Sequence, residues 1–308
     1  MTSAPSWRIG VDLGGTKIEA LALAGDDTAS RPIRVPTPRG DYQATLDAVA
    51  RLVADVESAC GAAQCSVGVG IPGSVAPATG LVQNANSTWL NGRPFERDLA
   101  ARLARPVRTA NDANCFALSE AIDGAAAGAG SAFGVILGTG CGGGFVVRGT
   151  IVDGPRSIGG EWGHNPLPWP TADEVPGPRC WCGRHGCMET WVCGPALVAD
   201  HLRVSGVALG DAGAVAVAAA AGDAEARATM ARHADRLARG LATVVNILDP
   251  EVIVLGGGLS GIASLYEALP GLMMPHLFTD VPTVDIRPPR WGDASGVRGA
   301  ARLWAAGA

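Results

Sequence analysis

Asn111-Asp112 follows a strand-like stretch, Val107 to Ala110, and precedes a helix-like segment. A carboxylate at the carboxyl end of a strand is placed to accept the proton of an alcohol, and a neighbouring amide to orient that alcohol. The same pair is a familiar helix N-cap, and from spacing alone capping is the commoner role. Glu161-Trp162-Gly163-His164 adds a carboxylate and an imidazole, and Asn84, Asn86 and Glu189 are further polar candidates. Planar polar side chains of these types make paired hydrogen bonds to adjacent hydroxyls such as a sugar presents. Taken singly, each also reads as an ordinary loop group.

Two glycine-rich turns could hold phosphate. In Asp12-Leu13-Gly14-Gly15-Thr16-Lys17 the glycines let backbone N–H groups approach phosphate oxygens. Thr16 adds a hydroxyl, Lys17 a positive charge, and Asp12 a carboxylate able to hold water on Mg2+. The order Thr16-Lys17 is not that of a Walker P-loop, and an ordinary hairpin turn is the plain alternative. Gly138-Thr139-Gly140-Cys141-Gly142-Gly143 matches GxGxxG in form. A dinucleotide loop opens a helix, however, whereas Phe145-Val146-Val147 reads as strand, so Thr139 and Gly140 suit a second phosphate-facing turn better. Gly256-Gly257-Gly258 would allow close approach of adenine or its ribose, although a tight strand-to-helix turn alone explains it. Cys180, Cys182 and Cys187, with His164 upstream, offer a Cys3His set that would close a structural zinc site. His185 is a rival fourth ligand, and incidental loop thiols are the plain alternative.

The elements that must position these residues alternate between strand and helix, which defines an α/β chain. Strands are expected at 7–13 and 18–23, joined by Gly14-Gly15, and at 67–71 and 107–110. A helix capped by Asp41 runs to Cys60, with Leu46, Val49, Leu52, Val53 and Val56 at helical spacing and Gly61 to end it. Residues 94–104 form a short helix. Strand 133–137, a turn over 138–144 and strand 145–147 repeat the first strand–glycine–strand unit, so two related halves should face one cleft. Residues 165–188 read as a loop, 224–248 as a long helix, 252–255 as a strand and the tail from Ser295 as helical.

Bulk composition excludes several classes. Hydrophobic residues make up 47% and charged residues 17%, enough to bury large cores. The net charge of -5 supplies no broad positive field for nucleic acid. The most apolar run, 212–221, is alanine-rich and too short to span a bilayer. The opening 1–6 is polar and small rather than a signal peptide, which makes a cytoplasmic protein the expectation. Cys60, Cys65, Cys115, Cys141 and Cys193 are then expected to be reduced and mostly buried.

Taken together, these motifs resemble the ROK family (repressors, uncharacterised reading frames and kinases). The resemblance rests on Asp12 to Lys17, Asn111-Asp112-Ala113-Asn114, Gly138-Thr139-Gly140, Gly160 to His164, and the cysteine cluster ending Gly186-Cys187-Met188-Glu189. Within the family, Asn84 to Gly92, Glu161 to Trp169 and Val245 to Pro250 look most like bacterial fructokinases of the manno(fructo)kinase type. The resemblance implies an actin-like (ribonuclease H-like) ATPase fold with two lobes around a central cleft. One lobe would be 1–111, completed by a C-terminal helix at about 294–308, and the other 112–293 with the zinc loop. It implies Asp112 as base, with Asn86, Asn111, Glu161, His164 and Glu189 around the sugar. It implies ATP on the glycine turns and on Gly256-Gly257, zinc on His164, Cys180, Cys182 and Cys187, and a homodimer. The expected reaction is transfer of the γ-phosphate from Mg·ATP to the 6-hydroxyl of a hexose, fructose first.

Alternatives remain at this stage. N-acetylglucosamine kinase is a close rival, since 111–120 reads much like that relative too, and glucokinase is another. A sugar-responsive repressor would carry a DNA-binding segment before the first glycine motif, and 11 residues precede Asp12 here. A filament or scaffold protein of actin-like fold would need neither sugar ligands nor a zinc-braced pocket.

Overall fold

The computed structural model describes residues 7–281 and 283–305. The opening segment 1–6 and the last three positions of the expected C-terminal helix lie outside the described residues. β1 (Arg8–Leu13) and β2 (Lys17–Leu23) pair antiparallel with Leu13 opposite Ile18, leaving Gly14, Gly15 and Thr16 as the turn. β3 (Ile33–Pro36) extends the sheet on the far side of β2. α1 (Tyr42–Cys60) starts at Asp41, whose carboxylate accepts the Ala44 N–H at 2.9 Å, and stops at Gly61 in the left-handed region. It buries the predicted stripe from Leu46 to Val56. β4 (Ser66–Ile71) runs parallel to β1, and a small hairpin, β5 (Ser74–Ala76) with β6 (Leu81–Gln83), follows it. After α2 (Phe95–Leu103), β7 (Val107–Asn111) joins β4 in parallel and passes straight into α3 (Asp112–Ile122).

The second half repeats this plan. β8 (Ser131–Leu137), β9 (Cys141–Val147) and β10 (Thr150–Ile151) form an antiparallel meander. The long loop, α4 (Glu189–Val192), α5 (Gly194–Ser205), α6 (Ala212–Ala220) and α7 (Ala224–Leu248) come next. β11 (Val252–Gly256) then pairs parallel with β8; α8 (Ala263–Met273), β12 (Ile286–Arg287) and α9 (Ser295–Ala301) complete the chain. The two sheets, β3-β2-β1-β4-β7 and β10-β9-β8-β11-β12, share one topology. This is the duplicated α/β arrangement of the actin-like ATPase fold, with one apolar core behind each sheet.

One difference from the sequence expectation matters for the site. The glycine run read as a turn over 138–144 is strand from Cys141 onward. A Cβ on Gly144 would lie 2.6 Å from the Ala113 carbonyl oxygen, and one on Gly143 would lie 2.6 Å from the Trp162 ring. Gly142 and Gly144 bring β9 against the first turn of α3, where Asp112 sits, and Gly143 makes room for Trp162 on the other face; they are packing residues, not turn residues.

α3 and α9 join the halves. A Cβ on Gly299 would collide with the Cys115 carbonyl, so the two helices touch backbone to backbone. Glu120 of α3 is fully buried and accepts from the Ser295 hydroxyl at 2.6 Å and the Arg290 N–H at 3.0 Å. The 165–188 loop is braced on α7. Glu174 accepts from Arg236 Nε at 2.7 Å and Arg239 Nη2 at 2.9 Å, while Arg239 Nη1 donates to the carbonyls of Pro168 and Trp169. Burial alone would raise the Glu174 pKa, but the Arg239 and Arg236 hydrogen bonds hold it down at about 2.

Candidate active site

Asn111 is indeed the cap of α3: its Oδ1 accepts from the N–H of Ala113 at 2.9 Å and of Asn114 at 3.3 Å. Its amide donates to the Gly73 carbonyl at 3.1 Å, tying the helix start to the turn after β4. Asp112 is the first helical residue, and one carboxylate oxygen accepts from the Ala113 N–H at 2.8 Å. Capping and facing the cleft therefore coexist. A cavity of about 240 Å³ opens in front of this pair. Asn84, Asn86, Asn111, Asp112, Glu161, His164 and Glu189 all line it, together with the second glycine turn from Gly138 to Gly143. Every residue expected around a sugar is in one place.

The far wall is built by the 3-10 turn Trp162–His164, which packs on β9. Trp162 is buried, stands edge-on to Phe133 at 6.3 Å and donates its Nε1–H to the Gly142 carbonyl at 3.0 Å. That anchor leaves Glu161 and His164 to face the cavity. Glu189, at the start of α4, accepts from the Cys141 N–H at 3.1 Å and from Trp181 Nε1–H at 2.8 Å.

The carboxylates are perturbed as a group. Burial raises Asp112 to about 6, helped by nearby Glu161 and opposed by the Ala113 N–H and by Asn111. Asp12, at the end of β1, is raised to about 7 by burial, then by Asp112 and Glu19, against the pull of Lys17. Glu161 is raised by burial and by Glu189, with His164 acting the other way. A buried carboxylate beside other carboxylates is stabilised by a cation, so the surroundings of Asp12 fit a Mg2+ bound there with ATP.

The two glycine turns expected to hold phosphate differ in their surroundings, and the first, Gly14 to Lys17, lines neither the carboxylate cavity nor its neighbour. The Gly14 N–H bonds the Lys17 carbonyl at 3.0 Å to close the first hairpin. Arg39, not singled out from sequence, donates to the Gly15 carbonyl at 2.8 Å and to the Thr16 hydroxyl at 2.6 Å. Lys17 Nζ stands 3.7 Å from Glu19. At the second turn, Gly138 and Thr139 border both the carboxylate cavity and a neighbouring one of about 910 Å³. Gly194, Pro195, Asp211, Gly213 and Gly258 shape the latter. Sequence reasoning missed these residues; the helix cap Asp211 and the Gly194-Pro195 helix start were the available signals. Gly256 does not face this cavity. It is buried, and a Cβ there would meet the Phe116 ring at 2.5 Å, so its glycine serves packing between β11 and α3. Gly257 takes a left-handed turn, φ +77°, against the Leu137 carbonyl, and it is Gly258 that reaches the cavity wall.

Among the described residues, His164, Cys180, Cys182 and Cys187 form a metal-capable group whose ligand atoms all lie within 4.8 Å of one another. Cys180 Sγ is 3.6 Å from His164 Nδ1, and Cys182 Sγ is 3.6 Å from Cys187 Sγ. Ligands about 2.3 Å from a tetrahedral zinc stand roughly 3.8 Å apart, so spacing and donor chemistry both fit zinc. His185 is exposed and outside the group.

A duplicated α/β cleft with an acid-lined cavity beside the Gly138–Gly143 run, together with relatives named as sugar kinases, defines an ATP-dependent hexose kinase of the actin-like class. The chain belongs to the ROK family, whose family model matches residues 8–306. The N-acetyl-D-glucosamine kinase of Pasteurella multocida (strain Pm70) is 40% identical over 305 residues, covering 96% of this chain and 99% of that protein. The ROK hexokinase from Thermus thermophilus superposes with a TM-score of 0.84 at 33% identity, covering 96% of this chain and 97% of that one. A ROK family glucokinase from Streptomyces griseus, in complex with glucose and AMPPNP, gives 0.77 at 28% identity, covering 96% and 98%. The fructokinase resemblance is not what these relatives support. Of its distinguishing stretches, Asn84, Asn86, Glu161 and His164 line the cavity, whereas Asn91 bonds the backbone of Ala85 and Trp169 stacks on His276 outside it.

Proposed function

We propose that this protein transfers the γ-phosphate of ATP to the 6-hydroxyl of N-acetyl-D-glucosamine, with glucose as a weaker acceptor. Relatives that are 40% identical over nearly the whole chain and named for that sugar support this acceptor over fructose. The observation that carries the reading is the shared Gly138-Thr139 turn, which borders a carboxylate-lined cavity on one side and a nucleotide-sized one on the other. A terminal phosphate held at that turn is within reach of an alcohol beside Asp112.

In this mechanism Asp112 accepts the proton as the 6-hydroxyl attacks, and Asn111 and Asn86 orient the ring. Glu161, His164 and Glu189 bind the opposite edge. Gly15, Thr16 and Lys17 on one side, and Thr139 and Gly140 on the other, donate to phosphate oxygens as charge develops, while Gly14, whose N–H is held by the Lys17 carbonyl, shapes the turn. Asp12 would hold Mg2+, which supplies charge neutralisation on the phosphates when bound. Zinc on His164, Cys180, Cys182 and Cys187 would fix the backbone three residues from Glu161 and do no chemistry. Residues 1–111 with the C-terminal helix and 112–293 are read as the two closing lobes, and closure excludes water as a competing acceptor. A homodimer in the cytoplasm, where ATP is available, belongs to the same reading; among the described residues no helix is long and apolar enough to cross a membrane.

Side-by-side phosphorylation of N-acetylglucosamine, glucose, mannose and fructose tests the acceptor. The highest kcat/KM belongs to N-acetylglucosamine; a higher value for fructose would reject this choice, and turnover of none would reject the kinase reading.

A further inference from the structure

We propose that Arg39 is a positioning residue that aims the first glycine turn at phosphate. The inference rests on the reading of that turn, Gly14 to Thr16, as a phosphate holder. Two glycines and a threonine carry too little side chain to fix their own peptide planes, so the turn must be set from outside. The segment Thr37-Pro38-Arg39, between β3 and α1, lies along it and takes up each of its carbonyls. Thr37 Oγ1 donates to the Gly14 carbonyl at 2.7 Å, Arg39 Nε to the Gly15 carbonyl at 2.8 Å, and the Thr37 N–H to the Thr16 carbonyl at 3.0 Å. In a trans peptide a C=O and the N–H of the next residue point opposite ways. Drawing the Gly14 and Gly15 carbonyls toward 37–39 therefore turns the Gly15 and Thr16 N–H groups to the other side. Among the described residues neither N–H has an acceptor, which leaves both to phosphate oxygens.

The Thr16 hydroxyl is set in the same way. Arg39 Nη2 donates to Thr16 Oγ1 at 2.6 Å. A hydroxyl that accepts from a cation keeps its single proton to donate, and donates it more strongly. One guanidinium thus fixes a carbonyl and a hydroxyl of adjacent residues, a task for a planar fork and not for a point charge. The segment that carries Arg39 is itself anchored. Thr37 is buried, and the Pro38 carbonyl lies 3.2 Å from Thr45 Oγ1, a fully buried group that accepts from Trp89 Nε1 at 3.2 Å. The turn lies against the acceptor side of the same half. A Cβ on Gly15 would stand 3.6 Å from Ser87 Oγ, and Ser87 directly follows Asn86 of the carboxylate cavity.

The test measures kcat/KM for Mg·ATP and KM for N-acetylglucosamine in wild type, Arg39→Ala, Arg39→Lys, Thr16→Val and the Arg39→Ala/Thr16→Val pair, with the urea midpoint as a control. Arg39 is exposed, so Arg39→Ala should unfold at the wild-type midpoint. Its kcat/KM for Mg·ATP should fall about 10- to 100-fold, while KM for the sugar stays within about threefold. Arg39→Lys keeps the charge without the fork and should remain within about threefold of Arg39→Ala. Thr16→Val should also lose kcat/KM for Mg·ATP, and the pair should lose less than the product of the two single losses. An unimpaired Arg39→Ala, an equal loss on the sugar, full recovery in Arg39→Lys or multiplicative losses in the pair overturns the inference and leaves the phosphate reading of the turn standing. A Thr16→Val that uses Mg·ATP as well as wild type overturns that reading, and the inference with it.

Discussion

Replacing Asp112 with Asn separates catalysis from stability. The Asp112 pKa is raised from 3.8 to about 6, chiefly by burial and by Glu161. The folded state therefore holds this proton to higher pH than the unfolded chain does, and stability falls as pH rises from about 4 to about 6. A shift of this size corresponds to roughly 3 kcal/mol against the ionised folded state at pH 7.5. Asp112 lines an open cleft, so solvent screening reduces that figure to about 1–3 kcal/mol. Asn keeps the shape and can still accept from the Ala113 N–H, but it carries no charge. Asp112→Asn should thus be more stable than wild type by about 1–3 kcal/mol in urea unfolding at pH 7.5, and by about half as much at pH 5. Its kcat/KM should fall 10²- to 10⁴-fold, the range expected for loss of a general base. The wild type should lose activity below about pH 6, as Asp112 is protonated. A variant that is no more stable, or that retains turnover within a fewfold, would refute the reasoning.

Three further outcomes follow from the packing around the site. Gly144→Ala should cost about 1–3 kcal/mol in thermal or urea unfolding, because its Cβ would press on the Ala113 carbonyl at 2.6 Å; an unchanged midpoint would contradict the close approach of β9 to α3. Elemental analysis should find about one zinc per chain, and Cys187→Ser or chelation should lower kcat/KM for the sugar 10- to 100-fold through misplacement of Glu161 and His164, whereas full activity without metal would remove the staple. Glu174→Gln should destabilise by about 1–3 kcal/mol, since it weakens the charged hydrogen bonds from Arg236 and Arg239 while Arg236 keeps Asp200 and Arg239 keeps Asp235. The native Glu174 pKa of about 2 means that this contribution is present above pH 4.5 and lost as pH falls toward 2, which acid unfolding of wild type and variant can compare.

What the sequence disclosed was local chemistry with fixed spacing. Asn111-Asp112 stood out because a strand, a polar pair and a helix are contiguous in the chain, and the structure joins capping and cleft roles at that point. The cysteine spacing likewise pointed to one metal-capable group, with His164 rather than His185. The duplicated strand–glycine–strand units gave the two-sheet plan. Contacts between distant segments were hidden. Gly142 to Gly144 look like a turn in one dimension, and the packing of Gly142 and Gly144 on α3 and of Gly143 on Trp162 depends on where separate segments lie. Gly256 reads like Gly258 until Phe116 is seen against it. Arg39 and Asp211 are common residue types at unremarkable positions, and only the folded chain brings them to the turn and the cavity. The relatives favour N-acetylglucosamine over the fructose first expected, and Trp169, one residue behind that expectation, faces His276 instead of the acceptor cavity.

The most direct measurement incubates the protein with Mg2+, γ-labelled ATP and either N-acetylglucosamine or its 6-deoxy analogue, and follows the label. Label should appear in a sugar 6-phosphate with the first, and the 6-deoxy analogue should bind without accepting it. ATP turnover at the same rate with either sugar, or label on another hydroxyl, would contradict an acceptor alcohol held between Asp112 and the terminal phosphate.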